Sequence, residues 1–485
     1  MKKNFLTVIA MMVVAFFVGT EIAQASDISF SGKIRTRYEN TTAQEWDVGD
    51  DPRDWTATQV RLNAKANIND STSAFVQMQS SRVWGTNNAA YTASDGDASV
   101  GLHQAYFTVK NFAGTGFNAK VGRQEIVLDG HRLFGHTGWT TGAQTHDGAV
   151  LSHAHNNGSM RYIYSAAQEH TSTAGQAEND IEIHALHSNF QGVLGGSLST
   201  YLVMMDDDCG AASTAACAGA TNKWFTIGAR QAGKMFGLDY RAEYYFQTGA
   251  AALAGAQMPY TTLVTTPGTL TTFDPTAGFG GEASRNAYMY GVRVGKSFNN
   301  VTWKPKVTLW YDYLSGTDDE NIEDGDWGAF DTLNDTGHKF YGFMDLFLPQ
   351  TGANTDFLGL QDIAVKIVLK PAAKWTLKAD VHNFHTAHSL GANPDVAHIR
   401  GFCSNVSVGI TSSETGGQAC RGGGSELGTE LDLTLVHKYN PNVKLVFGYS
   451  QFMAEALYHR IRGTSATVGY ENQARWMYVM ADVKF

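Results

Sequence analysis

Past its first 25 residues the chain has no apolar run long enough for a helix to cross a membrane, which takes about 20 residues. Proline is scarce, at 9 residues, and cysteine scarcer, at 4. No Cys-x-x-Cys-His occurs, so covalent c-type haem is not indicated. No Gly-x-Ser-x-Gly elbow marks a hydrolase nucleophile, and no enzymatic reaction is expected. The cysteines fall in two local pairs, Cys209 with Cys217 and Cys403 with Cys420. Their spacing lacks the close approach of zinc motifs, and two loop disulfides are the expectation for an exported chain. Positive charge is in deficit: the formal charge is −10, which argues against nucleic acid as a partner. The acidic runs Asp318–Asp326 and Asp206–Asp208 do not make a calcium loop. Setting Gly325 at the turn of an EF-hand puts Ile322 at a ligand position. Solvated outer loops are expected instead, with no metal and no cofactor.

At the N-terminus, Lys2 and Lys3 precede the apolar stretch Phe5–Val18, and Ala23-Gln24-Ala25 offers a small-residue cleavage site. Residues 1–25 therefore read as a secretory signal peptide, and residues 26–485 as one domain. That domain is rich in aromatics (20 Tyr, 26 Phe and 10 Trp over the whole chain) and in glycine, at 51 residues. Such a composition suits many alternating strands bounded by aromatic girdles, although a large β-sandwich shares part of it.

The last eleven residues, Arg475–Phe485, alternate strictly. Met477, Val479, Ala481, Val483 and Phe485 share one face, and Trp476, Tyr478, Met480, Asp482 and Lys484 the other, as a strand requires. An open apolar edge invites pairing with other chains, and a closed barrel removes it. Ending on a terminal Phe is similar to the assembly signal of bacterial outer-membrane barrels, so outer-membrane lipid and the barrel assembly machinery are expected partners.

The same device recurs along the chain. Ile28–Glu39 sets Ile28, Phe30, Ile34 and Tyr38 against Lys33, Arg35, Arg37 and Glu39, and Thr58–Ile68 sets Val60, Leu62, Ala64 and Ala66 against Arg61, Asn63 and Lys65. Counting such segments to the C-terminus predicts 18 strands, with brief Asn/Gly/Pro-rich turns alternating with longer polar loops. Both termini then lie on the periplasmic side. Phe340–Leu348 also alternates, but a nineteenth strand would break the parity. It is assigned to the long excursion 314–359. The expected fold is all-β, a transmembrane antiparallel barrel of about 18 strands with long extracellular loops in a Gram-negative outer membrane. Its interior, water-filled or plugged, replaces a soluble hydrophobic core.

One segment carries a family resemblance. Gly122, Arg123, Gln124, Gly130, Arg132, Gly135, Trp139, Asp147 and Gly148 make a pattern that resembles the alginate export family of outer-membrane barrels, with weaker similarity through His338–Phe347, Asp362, Pro371 and Gly428–Asp432. The match departs at His146, where an aromatic is expected, and lacks an arginine just upstream. The resemblance implies an 18-stranded porin with a basic constriction that passes a hydrophilic, anionic solute or polysaccharide.

Alternation puts Lys33, Arg35, Arg37, Arg61 and Lys65 on the inner face, where they form a candidate basic ladder. Arg123, Arg132 and Asp147 bracket a glycine-containing connection that can fold into the lumen. Two outcomes stand open for those arginines: lining a constriction, or bracing the loop by pairing with Glu125, Asp129 or Asp147. Inward acids such as Glu39, Glu243, Glu430 and Asp432 can neutralise the ladder, so cation preference is the opposite outcome. A barrel-borne surface adhesin and an outer-membrane hydrolase are the alternatives to a channel.

Overall fold

A computed structural model describes residues 27–42, 52–85, 100–169, 180–207, 222–252, 282–318, 325–348, 357–390, 424–462 and 471–485, with isolated positions 265–266, 269–270, 321 and 355. Residues 1–25, expected to be a signal peptide, all four cysteines and most of the acidic run at 318–326 lie outside these residues.

Eighteen strands form the wall: β1 Asp27–Thr41, β2 Arg53–Asn67, β3 Thr72–Val83, β4 Gly101–Val109, β5 Asn118–Gln124, β6 His146–His155, β7 Gly158–Gln168, β8 Ile181–Val193 and β9 Gly196–Asp207. The circuit continues with β10 Asn222–Met235, β11 Leu238–Ala252, β12 Glu282–Ser297, β13 Lys306–Leu314, β14 Leu360–Ala372, β15 Trp375–Leu390, β16 Gly424–Lys438, β17 Val443–Ala454 and β18 Gln473–Lys484. Each pairs antiparallel with its sequence neighbour, and β1 pairs with β18 from Lys33 opposite Lys484 to Thr41 opposite Trp476. The last rung is reciprocal: Gly32 N–H donates to Phe485 O at 2.7 Å and Phe485 N–H to Gly32 O at 3.1 Å. No wall strand is left with a free edge, which accounts for an apolar strand at the very end of the chain.

Burial along the strands is inverted relative to a water-soluble protein. In β1, Arg35, Arg37 and Glu39 are 4–6% exposed while Phe30 is 79% exposed. Leu62, Leu202, Ile227, Leu309 and Ile363 likewise face outward. Exposed aromatics form two rims, with Phe190, Phe236, Phe298, Trp303 and Tyr439 at the short-turn end and Tyr38, Trp84, Tyr244 and Tyr288 toward the loops. An outward apolar band between aromatic girdles is the surface that lipid selects. No helix among the described residues is long and apolar enough to cross a membrane.

The wall is lowest where two long connections leave it. β5 has seven residues and β13 nine, against fifteen in β1. Residues 125–145, after β5, and the described residues 326–348 of the excursion after β13 turn inward and pack in the lumen. Phe340–Leu348 belongs to that excursion as bends and turns, so the strand count stays at 18. The plugged interior has an apolar core of its own: Leu133, Phe134, Phe340, Tyr341 and Phe347 are buried against wall residues Ile163, Tyr245, Phe384 and Phe452.

Candidate functional site

The first inward loop begins where glycine lets the wall pinch. Gly122 has φ +123°, and a Cβ there would lie 2.3 Å from the Ala105 carbonyl oxygen, so no other residue fits. Beyond it Asp129, His131, Thr137 and Ala143 all adopt positive φ, which costs non-glycine residues energy and persists only under strong outside constraint. The inner wall supplies that constraint. Arg35 donates to the Gly138 and Thr140 carbonyls at 2.6 and 2.7 Å, and Arg37 to Trp139 O at 2.9 Å. Ser81 donates to Thr141 O at 2.7 Å and Gln79 to Gly142 O at 2.8 Å. Arg37 also lies 4.1 Å above the Trp139 ring.

The two inward loops are bonded to each other. Gly135 N–H donates to Asn334 O at 2.7 Å and Asn334 N–H to Leu133 O at 3.0 Å, an isolated parallel bridge between Phe134 and Asn334, and Thr336 N–H donates to His131 O at 3.1 Å. A Cβ on Gly135 would meet Thr336 Oγ1 at 2.1 Å, so this glycine sets how closely the loops approach. His338 stacks on Trp139 with centroids 4.2 Å apart. On the far wall, Glu430 accepts the Met344 N–H at 2.9 Å and Asp432 the Phe343 N–H at 3.3 Å.

Arg132 joins the loops to the wall. Its guanidinium, 2% exposed, donates to Glu243 at 3.0 Å and Asp312 at 2.5 Å, bonds the Tyr341 hydroxyl and lies 3.9 Å from the Phe340 ring centroid. Arg241 stands 3.2 Å from Glu243 and Arg293 3.4 Å from Asp312, so three guanidiniums share two carboxylates. Arg230 sits across the ladder from Glu243, and Gly130 of the loop passes within Cβ reach of both Arg230 and Arg241. Burial, followed by the charge of Lys339 and by His136, pushes the His131 imidazole on the first loop down to about 4.

The candidate residues separate into three groups. Lys33, Arg35, Arg37, Arg61 and Lys65 all face inward, but four of them have partners: Lys33 pairs with Asp482 at 3.1 Å, Arg37 with Glu39 at 2.7 Å and Arg61 with Glu125 at 3.1 Å, while Arg35 holds loop carbonyls. Lys65 is exposed on the inner face near the short turns. Arg123 and Asp147 are a correction to the expected pore lining. Strand parity sets them outward with Val121 and Phe107, where they form a two-bond pair at 2.8 and 3.0 Å with 39% and 55% side-chain exposure. Arg132 is buried in the plug and braces it through wall carboxylates rather than through Glu125, Asp129 or Asp147. Asp129 instead accepts from His187 at 2.9 Å and from the Tyr201 hydroxyl. Of the acids weighed against the ladder, only Glu39 touches it. Asp312, Arg230, Arg241 and Arg293 escaped notice because single charges on mid-chain strands carry no spacing signal.

A closed barrel with a lipid-facing apolar band, a polar inner wall and a lumen narrowed by its own loops is an outer-membrane channel for hydrophilic solutes. The chain belongs to the alginate export family, whose model matches residues 26–469. Comparison with curated proteins finds no match. Among solved structures the fold is similar to Acinetobacter baumannii OccAB2 (11% identity, TM-score 0.54, covering 96% of this chain and 99% of that one) and OccAB1 (13% identity, TM-score 0.53, 96% and 98%). Pseudomonas aeruginosa OpdO is similar to the same degree, at 11% identity and TM-score 0.53 over 96% and 98%.

Proposed function

We propose that this outer-membrane channel passes small hydrophilic anions along the gap left between its inward loops and the cationic part of its wall, and that it catalyses no reaction. The observation that supports this reading is a group of inward wall cations without a carboxylate ion pair among the described residues, Lys65, Lys120, Arg161 and Arg230 among them. Charges fixed beside a narrow path act on a passing ion far more than the −10 of the whole chain. Residues 125–145 and 326–348 pack together inside the barrel, which favours small anions such as single uronates over a polysaccharide. Replacing chloride by glucuronate on one side of a bilayer holding the refolded protein tests it. Glucuronate is expected to carry current in preference to potassium. Current carried by potassium alone would contradict the reading.

A further inference from the structure

Below the first inward loop, between that loop and strands β4 to β7, lies a cavity of about 480 Å³ that none of the anchoring contacts uses. It sits at the short-turn end of the barrel, since its floor includes Lys110 and Asn118 on either side of the turn between β4 and β5. A volume of this order buries a small organic molecule, for which pockets run roughly 300–1,000 Å³.

The lining mixes two chemistries. The cations Lys110, Lys120 and Arg161 share the lining with the aliphatic side chains Val127, Val150 and Ile163, and the register sets Lys120 beside Val150 and Val150 beside Ile163. Lys120 Nζ lies 3.8 Å over the Tyr106 ring, and Lys110 donates to the Asp70 carbonyl at 3.1 Å. None of the three cations pairs with a carboxylate among the described residues. The one acid in the lining, Glu125, is bonded to Arg61 at 3.1 Å and His103 at 3.0 Å and reaches Lys120 only through space. The chamber thus presents cations next to hydrocarbon, with its one carboxylate already bonded to Arg61. A purely hydrophilic solute leaves the aliphatic side chains unsatisfied, and a neutral one leaves the cations so.

We propose that this chamber is a binding site for amphiphilic organic anions, a carboxylate carried on a compact hydrocarbon body, entered from the periplasmic side. The proposal rests on the reading that the channel admits anions. The carboxylate lies toward Lys120 and Arg161, and the hydrocarbon against Val127, Val150 and Ile163.

The test uses the full refolded chain in planar bilayers, with cyclohexanecarboxylate, glucuronate and cyclohexanol added in turn to each side. Cyclohexanecarboxylate is expected to interrupt the chloride current from the short-turn side, about tenfold more tightly than glucuronate, with no interruption by cyclohexanol. The double variant Lys120→Gln/Arg161→Gln should weaken that block about fivefold. Val127→Ser should weaken it while leaving the reversal potential unchanged. Equal block by glucuronate overturns the proposal, as does no block in a channel that still prefers chloride, or block that survives the double variant. Preference for potassium in the wild type removes the reading beneath it as well, so the two failures are told apart.

Discussion

At the scale of single residues, Glu243 and Asp312 show how the interior is held. Both are 0% exposed at the side chain, and Arg132 is the one guanidinium that touches both carboxylates while belonging to a loop. Arg132→Met removes the shared partner and also the bond to Tyr341, although Arg241 and Arg293 remain beside the acids. Breaking a buried pair from one side costs about 3–5 kcal/mol, and the remaining arginines place this case near the low end. The variant is expected to keep its barrel but to show larger, noisier single-channel conductance. Conductance equal to wild type would mean that the loops are held elsewhere. His131 adds a pH dependence of definite sign. Its docked form stays neutral down to about pH 4, whereas the undocked loop takes up a proton near the ordinary value of 6.5. Docking is therefore weakened as pH falls between those values. Proteolysis of residues 125–145 should accelerate on acidification from pH 7 to 5, and less so in His131→Asn, whose side chain tolerates the φ of 71°.

At the scale of elements, closure and plugging make separate demands. Strand β18 closes the wall through its outward register and the Gly32–Phe485 rung, while its inward Trp476 and Tyr478 pack on Trp139 of the plug, with centroids 5.7 and 5.0 Å away. Removing Val483–Phe485 is expected to lower the amount of heat-modifiable barrel in the outer membrane. Normal amounts would mean that closure does not depend on that rung. Replacing residues 329–347 by a short Gly/Ser linker should leave assembly intact and raise conductance severalfold, because those residues pack in the lumen without pairing to the wall as strands. Alternation made the strands legible in the sequence: a period of two with charges on one face survives even where single segments are weak, and even parity kept Phe340–Leu348 out of the wall. The plug was legible only as long glycine-bearing connections. Nothing in local sequence says that Gly135 abuts Thr336 or that Arg132 reaches residues 111 and 180 positions away. The Arg123 and Asp147 placement failed for a related reason: parity counted from Gln124 inward sends its neighbour outward, and the loop motif obscured the strand register.

At the scale of the molecule, the inner wall carries charge of both signs, and the outcome for a passing ion depends on which charges are already answered. Lys33, Arg37 and Arg61 are paired, and Arg35 is committed to loop carbonyls, so substituting it disturbs the plug before it alters selectivity. Among the inward cations without a carboxylate ion pair, Lys65, Lys120, Arg161 and Arg230 are the ones expected to set the sign. For a charge about 8 Å from an ion in water the interaction is roughly 0.5 kcal/mol, or about twofold in relative permeability for each charge removed. Screening confines the effect to low ionic strength. The most direct measurement is the reversal potential of the refolded channel under a potassium chloride gradient, for the wild type and for the variant with all four of these residues changed to Gln. The account predicts chloride preference in the wild type and a shift toward zero in the variant. Potassium preference in the wild type, or an identical potential in both proteins, would contradict it.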